Sequence, residues 1–235
     1  MLSLVSVNIE GDRHLDRVLP FLAERAPDVV CVQELFEKDV PHFESAIGSG
    51  VFVPMTRHRP TLQGIGIFSV FLGRSQSFHY AGGSEDLVNF DTTSMEARHR
   101  TQRRVLLTAE ITKDGVLFKI GTTHFTWTPD GEADEYQRAD LAGLFTSLEH
   151  EDEIVFCGDF NAPRGKEIFS AIAARYHDNI PPHYTTSLDS ALHRAGPLPY
   201  MVDGLFSTPG YAVTNVELVC DVSDHCAIVA DIERV

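Results

Sequence analysis

Polar side chains that can bind metals or move protons stand at the ends of apolar runs in this 235-residue chain. Asp224 and His225 come directly before the apolar run at residues 226–230. Carboxylate, amide and imidazole groups also finish or follow other apolar runs: Asn8, Glu34, His124, Asp159, Asn161 and Asp203. Carboxylate and amide oxygens are hard ligands that suit magnesium, and histidine exchanges protons near neutral pH. This set of residues indicates metal-dependent hydrolysis of a phosphoester.

The chemistry of that reaction gives a role to each residue type. Hydrolysis of a phosphoester needs a cation that offsets charge on the phosphoryl oxygens, a positioned water, and donors that hold the pentacoordinate centre. Glu34, Asn8 and Asp224 supply suitable metal ligands. His225 supplies a donor, and Asp203 is the expected partner of its second ring nitrogen.

Each residue also has an ordinary structural explanation when it is taken alone. Glu34 can be an acid at the start of a helix, and His124 can be a hydrogen-bonded histidine at the end of a sheet. Short polar side chains also close turns or cap backbone groups, and four candidates are of that kind: Asn8, Asp159, Asn161 and Asp203. The metal-site hypothesis therefore depends on these residues meeting in space.

Length and composition favour one domain over residues 1–235, because a chain with 43% hydrophobic residues can bury one substantial core. The first residues resemble a strand rather than a signal peptide. No segment approaches the roughly 18 uninterrupted apolar residues of a membrane span. We therefore expect a cytoplasmic protein, monomeric by default.

The formal net charge of -15 argues against binding of nucleic acid through a broad basic surface. A local basic run nevertheless spans residues 98–104, and it can be either a solvated loop or an arm that grips substrate phosphate. The four cysteines have no CxxC spacing, so neither a disulfide framework nor a zinc site is expected. A bridge between Cys220 and Cys226 is possible, but nothing in the sequence requires it.

Apolar runs rich in Val, Ile and Phe predict strands, and longer patterns between some of them predict helices. The predicted strands are residues 2–7, 29–32, 65–72, 105–111, 116–120, 154–157, 202–206, 213–219 and 226–232. The predicted helices are residues 12–25, 36–47, 141–148 with acids before its start, and 166–175. Pro20 is expected to kink the first helix or to start a new one.

The segment at residues 73–102 has no clear period, which predicts a long loop or hairpin insertion. Too many strand-like runs follow one another for strict βαβ alternation, so the chain predicts an α/β sandwich with mixed, mainly antiparallel sheets. In antiparallel pairs, the carboxyl end of one strand lies beside the amino end of its neighbour. Residues that end some strands can therefore meet residues that precede others.

Read in chain order, these motifs resemble those of the endonuclease/exonuclease/phosphatase superfamily, the deoxyribonuclease I-like fold. The motifs that carry the resemblance are Val7-Asn8, Gln33-Glu34, Thr123-His124-Phe125, Gly158-Asp159-Phe160-Asn161, Asp203-Gly204 and Ser223-Asp224-His225. The resemblance implies a four-layer α/β/β/α sandwich with a Mg2+ or Mn2+ site at one rim.

The same resemblance implies a role for each matching residue. Glu34 corresponds to the main metal ligand, with Asn8 beside it and Asp224 as a second carboxylate. Asp159 corresponds to the residue that orients or activates water, and Asn161 to one that holds the water or a phosphate oxygen. The remaining members, His124 and His225, correspond to contacts of the scissile phosphate. The choice of general base between Asp159 and the Asp203–His225 pair stays open.

The residues Asn8-Ile9-Glu10-Gly11 also resemble the opening motif of the tyrosyl-DNA phosphodiesterase 2 branch, with Glu10 in place of Asp. Four further side chains are candidates for contact with substrate phosphate or a base: Arg103, Arg104, Arg164 and Trp127. For Arg164 a solvated role, and for Trp127 a role as a loop anchor, are the alternatives.

The expected function is Mg2+-dependent hydrolysis of a phosphodiester by an activated water, with a nucleic acid as the favoured substrate. One alternative is a phosphatase or phosphodiesterase that acts on a small-molecule or lipid phosphate. The other alternative is a non-catalytic protein-binding domain that retains the fold.

Overall fold

The computed structural model describes residues 1–235, which form twelve strands and five α-helices. In chain order they are β1 (Leu2–Asn8), α1 (Leu15–Arg25), β2 (Val29–Phe36), α2 (Val40–Ala46), β3 (Gly50–His58), β4 (Thr61–Phe68), β5 (Leu72–Gly82), α3 (Met95–Thr101), β6 (Arg103–Lys113), β7 (Val116–His124), α4 (Glu135–Leu148), β8 (Val155–Asp159), α5 (Glu167–Ala173), β9 (His177–Asp178), β10 (Asp203–Ser207), β11 (Tyr211–Val219) and β12 (Ala227–Arg234). Short 3-10 helices occupy Glu37–Asp39 and Pro129–Gly131.

The strands form two six-stranded sheets. The first sheet has the order β11-β12-β1-β2-β4-β3, and the second has the order β5-β6-β7-β8-β10-β9. Each sheet contains one parallel pair, β1–β2 in the first and β7–β8 in the second, and the other pairs are antiparallel. Parallel neighbours need a crossover connection, which α1 provides in the first sheet and α4 in the second.

The core consists of three layers of buried apolar side chains, one between the two sheets and one between each sheet and its helices. The inner faces of the two sheets share one apolar layer, which includes Leu4, Ile120 and Leu205. Helices α1 and α2 cover the outer face of the first sheet with side chains such as Leu22, and α4 and α5 cover the second with side chains such as Leu144. The prediction of a four-layer α/β/β/α sandwich with mixed, mainly antiparallel sheets is therefore confirmed.

Of the two alternatives predicted for residues 73–102, the long loop is wrong, because this segment contains most of β5 and all of α3. The hairpin is closer, because β5 pairs antiparallel with the next strand, β6. Strand β5 lies at the edge of its sheet, where it pairs only with β6 and leaves much of its surface exposed. An edge strand does not need the apolar run of a buried one. Helix α3 is short and is capped by the Ser94 hydroxyl, which accepts a hydrogen bond from the Ala97 amide at 3.0 Å.

Two smaller differences concern β3 and Pro20. No strand was predicted at Gly50–His58, where most residues of β3 are only partly buried. Pro20 lies inside α1, which runs from Leu15 to Arg25 as one helix rather than beginning again at the proline.

The cysteines adopt two states. Cys220 and Cys226 form a disulfide, which the sequence left open, whereas Cys31 and Cys157 are free and buried. None of the helices combines the length and the apolar composition needed to cross a membrane.

Candidate active site

Three of the predicted site residues lie side by side across three neighbouring strands of the second sheet. His124 ends β7 and Asp159 ends β8, and the two residues are register partners in this parallel pair. Asp203 begins the antiparallel strand β10 and is the register partner of Asp159 on its other side. The antiparallel geometry places the start of one strand beside the end of the next, as expected. The second sheet therefore presents an imidazole and two carboxylates in one row.

The first sheet contributes Asn8 and Glu34 from its parallel pair. Asn8 ends β1 and is paired with Gln33 of β2. The pairing of β2 with β4 shifts register between Val32 and Leu35, a β-bulge that contains Glu34. Glu34 has a φ of 58°, in the left-handed region. Bulges of this kind redirect a side chain at the end of a strand.

The amide of Asn8 connects the two sheets. Its Nδ2 donates to Asp159 Oδ2 at 3.1 Å and is 3.4 Å from Glu34 Oε1. Its Oδ1 accepts a hydrogen bond from the backbone amide of Glu10 at 3.1 Å. Asn8 is 1% exposed, so these partners satisfy a polar group that would be costly to bury alone.

His225 makes the second connection between the sheets. Its Nδ1 lies 2.7 Å from Asp203 Oδ2, and its Nε2 lies 3.9 Å from Asp159 Oδ2. Burial alone would lower the pKa of His225, but the negative charges of Asp203 and Asp159 outweigh it and raise that pKa well above its usual value. The two carboxylates therefore favour the protonated form of His225.

A disulfide and two backbone hydrogen bonds fix the segment that carries Asp224 and His225. The two residues lie between the bridged Cys220 and Cys226. The Cys226 amide donates to the Ser187 carbonyl at 2.7 Å, and the Asp189 amide donates to the Asp224 carbonyl at 2.8 Å. These two hydrogen bonds form an isolated antiparallel β-bridge between His225 and Leu188. The disulfide loop and the loop that follows Ser187 therefore hold each other in place.

Burial shifts the pKa values of Asp159 and His124 in opposite directions. Burial raises the pKa of Asp159 to about 7, with the charge of His225 acting against this rise and that of Asp203 adding to it. Burial lowers the pKa of His124 well below its usual value, and the nearby positive charges of Arg104 and His225 add to the effect. His124 is thus neutral, with its Nε2 3.5 Å from Asp159 Oδ2.

Asn161 follows Asp159 in a tight turn and faces the same cleft. Its backbone amide donates to Asp159 Oδ1 at 2.8 Å, and its Nδ2 donates to the Phe125 carbonyl at 3.1 Å. Its φ of 49° is left-handed. Asn161 therefore has both the capping role that its sequence context allows and a position on the wall of the cleft.

The acidic side of the cleft suits a divalent cation. Glu10, Glu34 and Asp224 all line it, and neither Glu34 nor Asp224 forms an ion pair with a lysine or arginine. Burial raises the pKa of Glu34, and the like charges of Asp224 and Glu10 add to the rise, whereas His225 opposes it. Carboxylates that repel one another in this way favour a bound cation, and their hard oxygens match magnesium or manganese.

Two residues near these carboxylates were not among the predicted ligands. Glu10, His14 and Asp224 each offer a ligand atom, and these atoms lie within 4.8 Å of one another. Glu10 was noticed only as a replacement within a family motif, and His14 follows no strand. His14 has no strand-end signal of the kind that identified the other residues.

Of the four side chains predicted to contact substrate, only Trp127 lines the cleft. Trp127 lines the cleft and is 42% exposed. Arg104 is buried and donates to the His124 carbonyl at 3.1 Å, so it lies behind the histidine rather than on the cleft wall. Arg103 donates to the Ser84 carbonyl, and Arg164 donates to the Ile180 carbonyl and pairs with Asp178, so neither lines the cleft.

The cleft has a volume of about 470 Å³ and is closed on one side by the loop after Ser187. That loop contributes residues that the sequence did not single out, among them His193, Arg194 and Tyr200. The loop has neither a helical nor a strand period, so no pattern indicated that it would return to the site.

A family model described as the Endonuclease/Exonuclease/phosphatase family matches residues 5–225. Among solved structures, an endonuclease/exonuclease/phosphatase from Bacteroides vulgatus aligns with a TM-score of 0.74 and 18% identity, over 100% of this chain and 99% of the other. A mannosyl-6-phosphatase from Bacteroides thetaiotaomicron aligns with a TM-score of 0.71 and 11% identity, over 99% and 100% of the two chains.

A humanized D. rerio TDP2 with 14 mutations aligns with a TM-score of 0.66 and 21% identity, over 99% of this chain and 98% of the other. No curated protein sequence gives a significant match. At these identities the structural alignments establish a shared fold.

Proposed function

Because the chain belongs to the endonuclease/exonuclease/phosphatase family, we propose that it is a hydrolase that uses Mg2+ or Mn2+ to cleave a phosphodiester by attack of water. The observation that carries this proposal is the junction of the two sheets, where the Asn8 amide bonds Asp159 and His225 bonds Asp203. A domain that only bound a protein partner would have no need for this buried and mutually charged set.

Asp159 is the proposed general base. Its pKa of about 7 lets it hold or release a proton near neutral pH, as a base of this kind requires. The Asn161 amide fixes one oxygen of its carboxylate and Asn8 fixes the other, so the side chain keeps one orientation. Asp159 would therefore take the proton of the attacking water, while Asn161 holds that water or a phosphate oxygen.

The two histidines would contact the phosphate oxygens in different charge states. The charges of Asp203 and Asp159 favour protonated His225, and its bond to Asp203 through Nδ1 leaves Nε2 as the donor that can face the substrate. His124 is neutral and can donate one hydrogen bond without adding charge.

Glu34 and Asp224 would hold the cation, with Glu10 at the same wall of the cleft. Asn8, a predicted ligand, is buried with its Oδ1 bonded to the Glu10 amide, so it would orient Glu34 and Asp159 instead. When bound, such a cation supplies charge that offsets the negative charge of the phosphoryl oxygens. The residues of the chain would orient the phosphate toward Asp159 and keep bulk water out of the buried junction.

A nucleotide phosphodiester is the favoured substrate, and a compact phosphate ester of another kind is the second candidate. The net charge of -15 opposes a long duplex footprint. The cleft volume of about 470 Å³ lies within the range that small-molecule sites occupy. A short or terminal phosphoester therefore fits the cleft better than the interior of a duplex.

Hydrolysis of bis(p-nitrophenyl) phosphate and of p-nitrophenyl phosphate, with Mg2+, with Mn2+ and with EDTA, tests this proposal. We expect metal-dependent turnover with the diester preferred, and losses of about 100-fold or more for Glu34→Gln and His225→Gln. The matched controls are Glu149→Gln and His42→Gln, which alter exposed residues outside the cleft. Full activity of both site variants, or turnover that survives EDTA, would reject the proposed site.

A further inference from the structure

Two arginines beside the cleft have guanidinium groups with neither a hydrogen-bond partner nor an ion-pair partner within the protein. Neither the Arg98 nor the Arg194 guanidinium belongs to the hydrogen bonds or ion pairs that occupy other arginines such as Arg138 and Arg164. Arg98 is partly buried on α3, and Arg194 is exposed on the loop that closes the cleft. A guanidinium has five donors, so these two groups have unused capacity to bind an anion.

Trp127 holds Arg98 at the cleft. The Arg98 guanidinium carbon lies 4.8 Å from the centre of the Trp127 ring and 5.6 Å from that of Phe90. Stacking of this kind orients a guanidinium while leaving its edge donors free. Trp127 in turn lines the cleft together with Arg194. Arg98 is therefore stacked on a residue that lines the same cleft as Arg194.

The charges at this position are unusual for the molecule. Arg194 is the sole lysine or arginine on the cleft wall, which also carries Glu10, Glu34, Asp130, Asp159 and Asp224. Burial lowers the pKa of Arg98, and the nearby positive charge of Arg194 lowers it further. Two positive groups thus lie near enough to influence each other, in a protein whose net charge is -15. An anionic ligand would relieve that repulsion.

We infer that Arg98, stacked on Trp127, and Arg194 bind a second and non-scissile phosphate of the substrate in the cleft that Asp159 and His225 also line. This inference rests on the proposed function, because it names the substrate class of the same site. The substrate would be a nucleotide-like phosphoester with two phosphates, one cleaved and one gripped. A phosphate suits two guanidinium groups because its oxygens accept paired N–H donors.

Trp127 is the one tryptophan of the chain, so its fluorescence reports binding at this position without turnover. We would titrate thymidine 5′-monophosphate and thymidine 3′,5′-bisphosphate in EDTA. We expect the bisphosphate to bind about 10-fold tighter or more, and Arg194→Ala to remove that preference. Arg98→Ala should have the same effect, read by calorimetry because the change alters the surroundings of Trp127.

The matched control is Arg100→Ala, which removes the same charge from an exposed position on the same helix. If the wild type binds both nucleotides equally, or if Arg100→Ala weakens the bisphosphate as much as Arg194→Ala does, the second phosphate site is wrong. A bisphosphate that produces no response at millimolar concentration also overturns it.

A second assay separates this inference from the proposed function. The substrates are the p-nitrophenyl esters of thymidine 5′-phosphate with and without a 3′-phosphate. Both release p-nitrophenolate, so their rates are measured in the same way. We expect Arg194→Ala to lower kcat/KM about 10-fold or more for the bisphosphate ester and to change the other ester by less than about twofold. Equal hydrolysis of both esters by wild type and variant rejects the second phosphate site alone. No metal-dependent hydrolysis of either ester rejects the proposed function.

Discussion

His225 Nδ1 lies 2.7 Å from Asp203 Oδ2, although the two residues are attached to different sheets. Asp203 begins β10 of the second sheet, and His225 precedes β12 of the first. The pair is buried, with side-chain exposures of 10% for His225 and 4% for Asp203. A charged pair that joins two sheets in this way determines both the protonation of the imidazole and the relative position of the sheets.

Replacement of Asp203 by Asn should therefore lower the pKa of His225, because it removes the first carboxylate that raises it. We expect kcat/KM to fall about 100-fold or more, as for loss of an oriented acid–base group. NMR titration of the His225 ring nitrogens, compared with His42 in the same spectra, measures the pKa change. A His225 pKa that is unchanged in Asp203→Asn would contradict the assignment.

The same pair predicts how stability depends on pH. The folded-state pKa of His225 is raised above the usual value of about 6.5, so its stabilising contribution is complete below that pH and is lost as pH rises through the folded-state pKa. Asp203→Asn should lower the free energy of unfolding at pH 6 by about 2 kcal/mol and flatten its decline at alkaline pH. Urea denaturation across that range tests the sign.

Asp159 should titrate near neutral pH in the metal-free protein. Burial raises its pKa to about 7, and carbon-13 NMR of the labelled carboxyl in EDTA should show an inflection there. A bound cation favours the charged carboxylate, so the acidic limb of kcat/KM with Mg2+ should lie at or below that pH. Asp159→Asn should remove the limb together with about 100-fold or more of the activity.

Asp152→Asn, which changes an exposed carboxylate before β8, serves as the control for this experiment. An acidic limb that persists unchanged in Asp159→Asn would assign the base to another group. The Asp203–His225 pair is then the remaining candidate.

The backbone of Glu34 is strained, because a φ of 58° is left-handed and costs a residue with a side chain about 1–2 kcal/mol. We expect Glu34→Gly to be about 1 kcal/mol more stable than Glu34→Ala in EDTA. The pair Asn215→Gly and Asn215→Ala, at an exposed position with a φ of 52°, gives the backbone effect away from the site. Equal stability of the two Glu34 variants would show that the bulge relaxes when the carboxylate is removed.

The disulfide should stabilise the segment that carries Asp224 and His225. Replacing Cys220 and Cys226 together by Ser should lower the free energy of unfolding by about 2 kcal/mol and reduce activity. Reductant should reproduce both effects in the wild type and have no effect on the double variant, with mass spectrometry showing that the bridge has opened. Wild-type activity that is unaffected by complete reduction would show that the hydrogen bonds to Ser187 and Asp189 hold the segment alone.

The sequence predicted the layers and the convergence of the polar strand ends because both follow from local patterns. Apolar runs identify buried strands, and the antiparallel rule brings Asp159 and Asp203 together. Strand β5 was missed because an edge strand can remain partly polar. The arginine at position 194 was missed because its place on the cleft wall depends on the contact between the Ser187 loop and Cys226, which no periodicity records.

The Asn8–Asp159 hydrogen bond has a consequence for assembly of the molecule. Each sheet holds only some of the proposed catalytic residues, so neither sheet could catalyse hydrolysis before the inner faces of the two sheets meet. Catalytic turnover would then measure docking of the sheets, whereas circular dichroism would measure formation of the strands. During refolding from denaturant, a delay of turnover relative to the circular dichroism signal would measure how long the two sheets take to dock after their strands have formed.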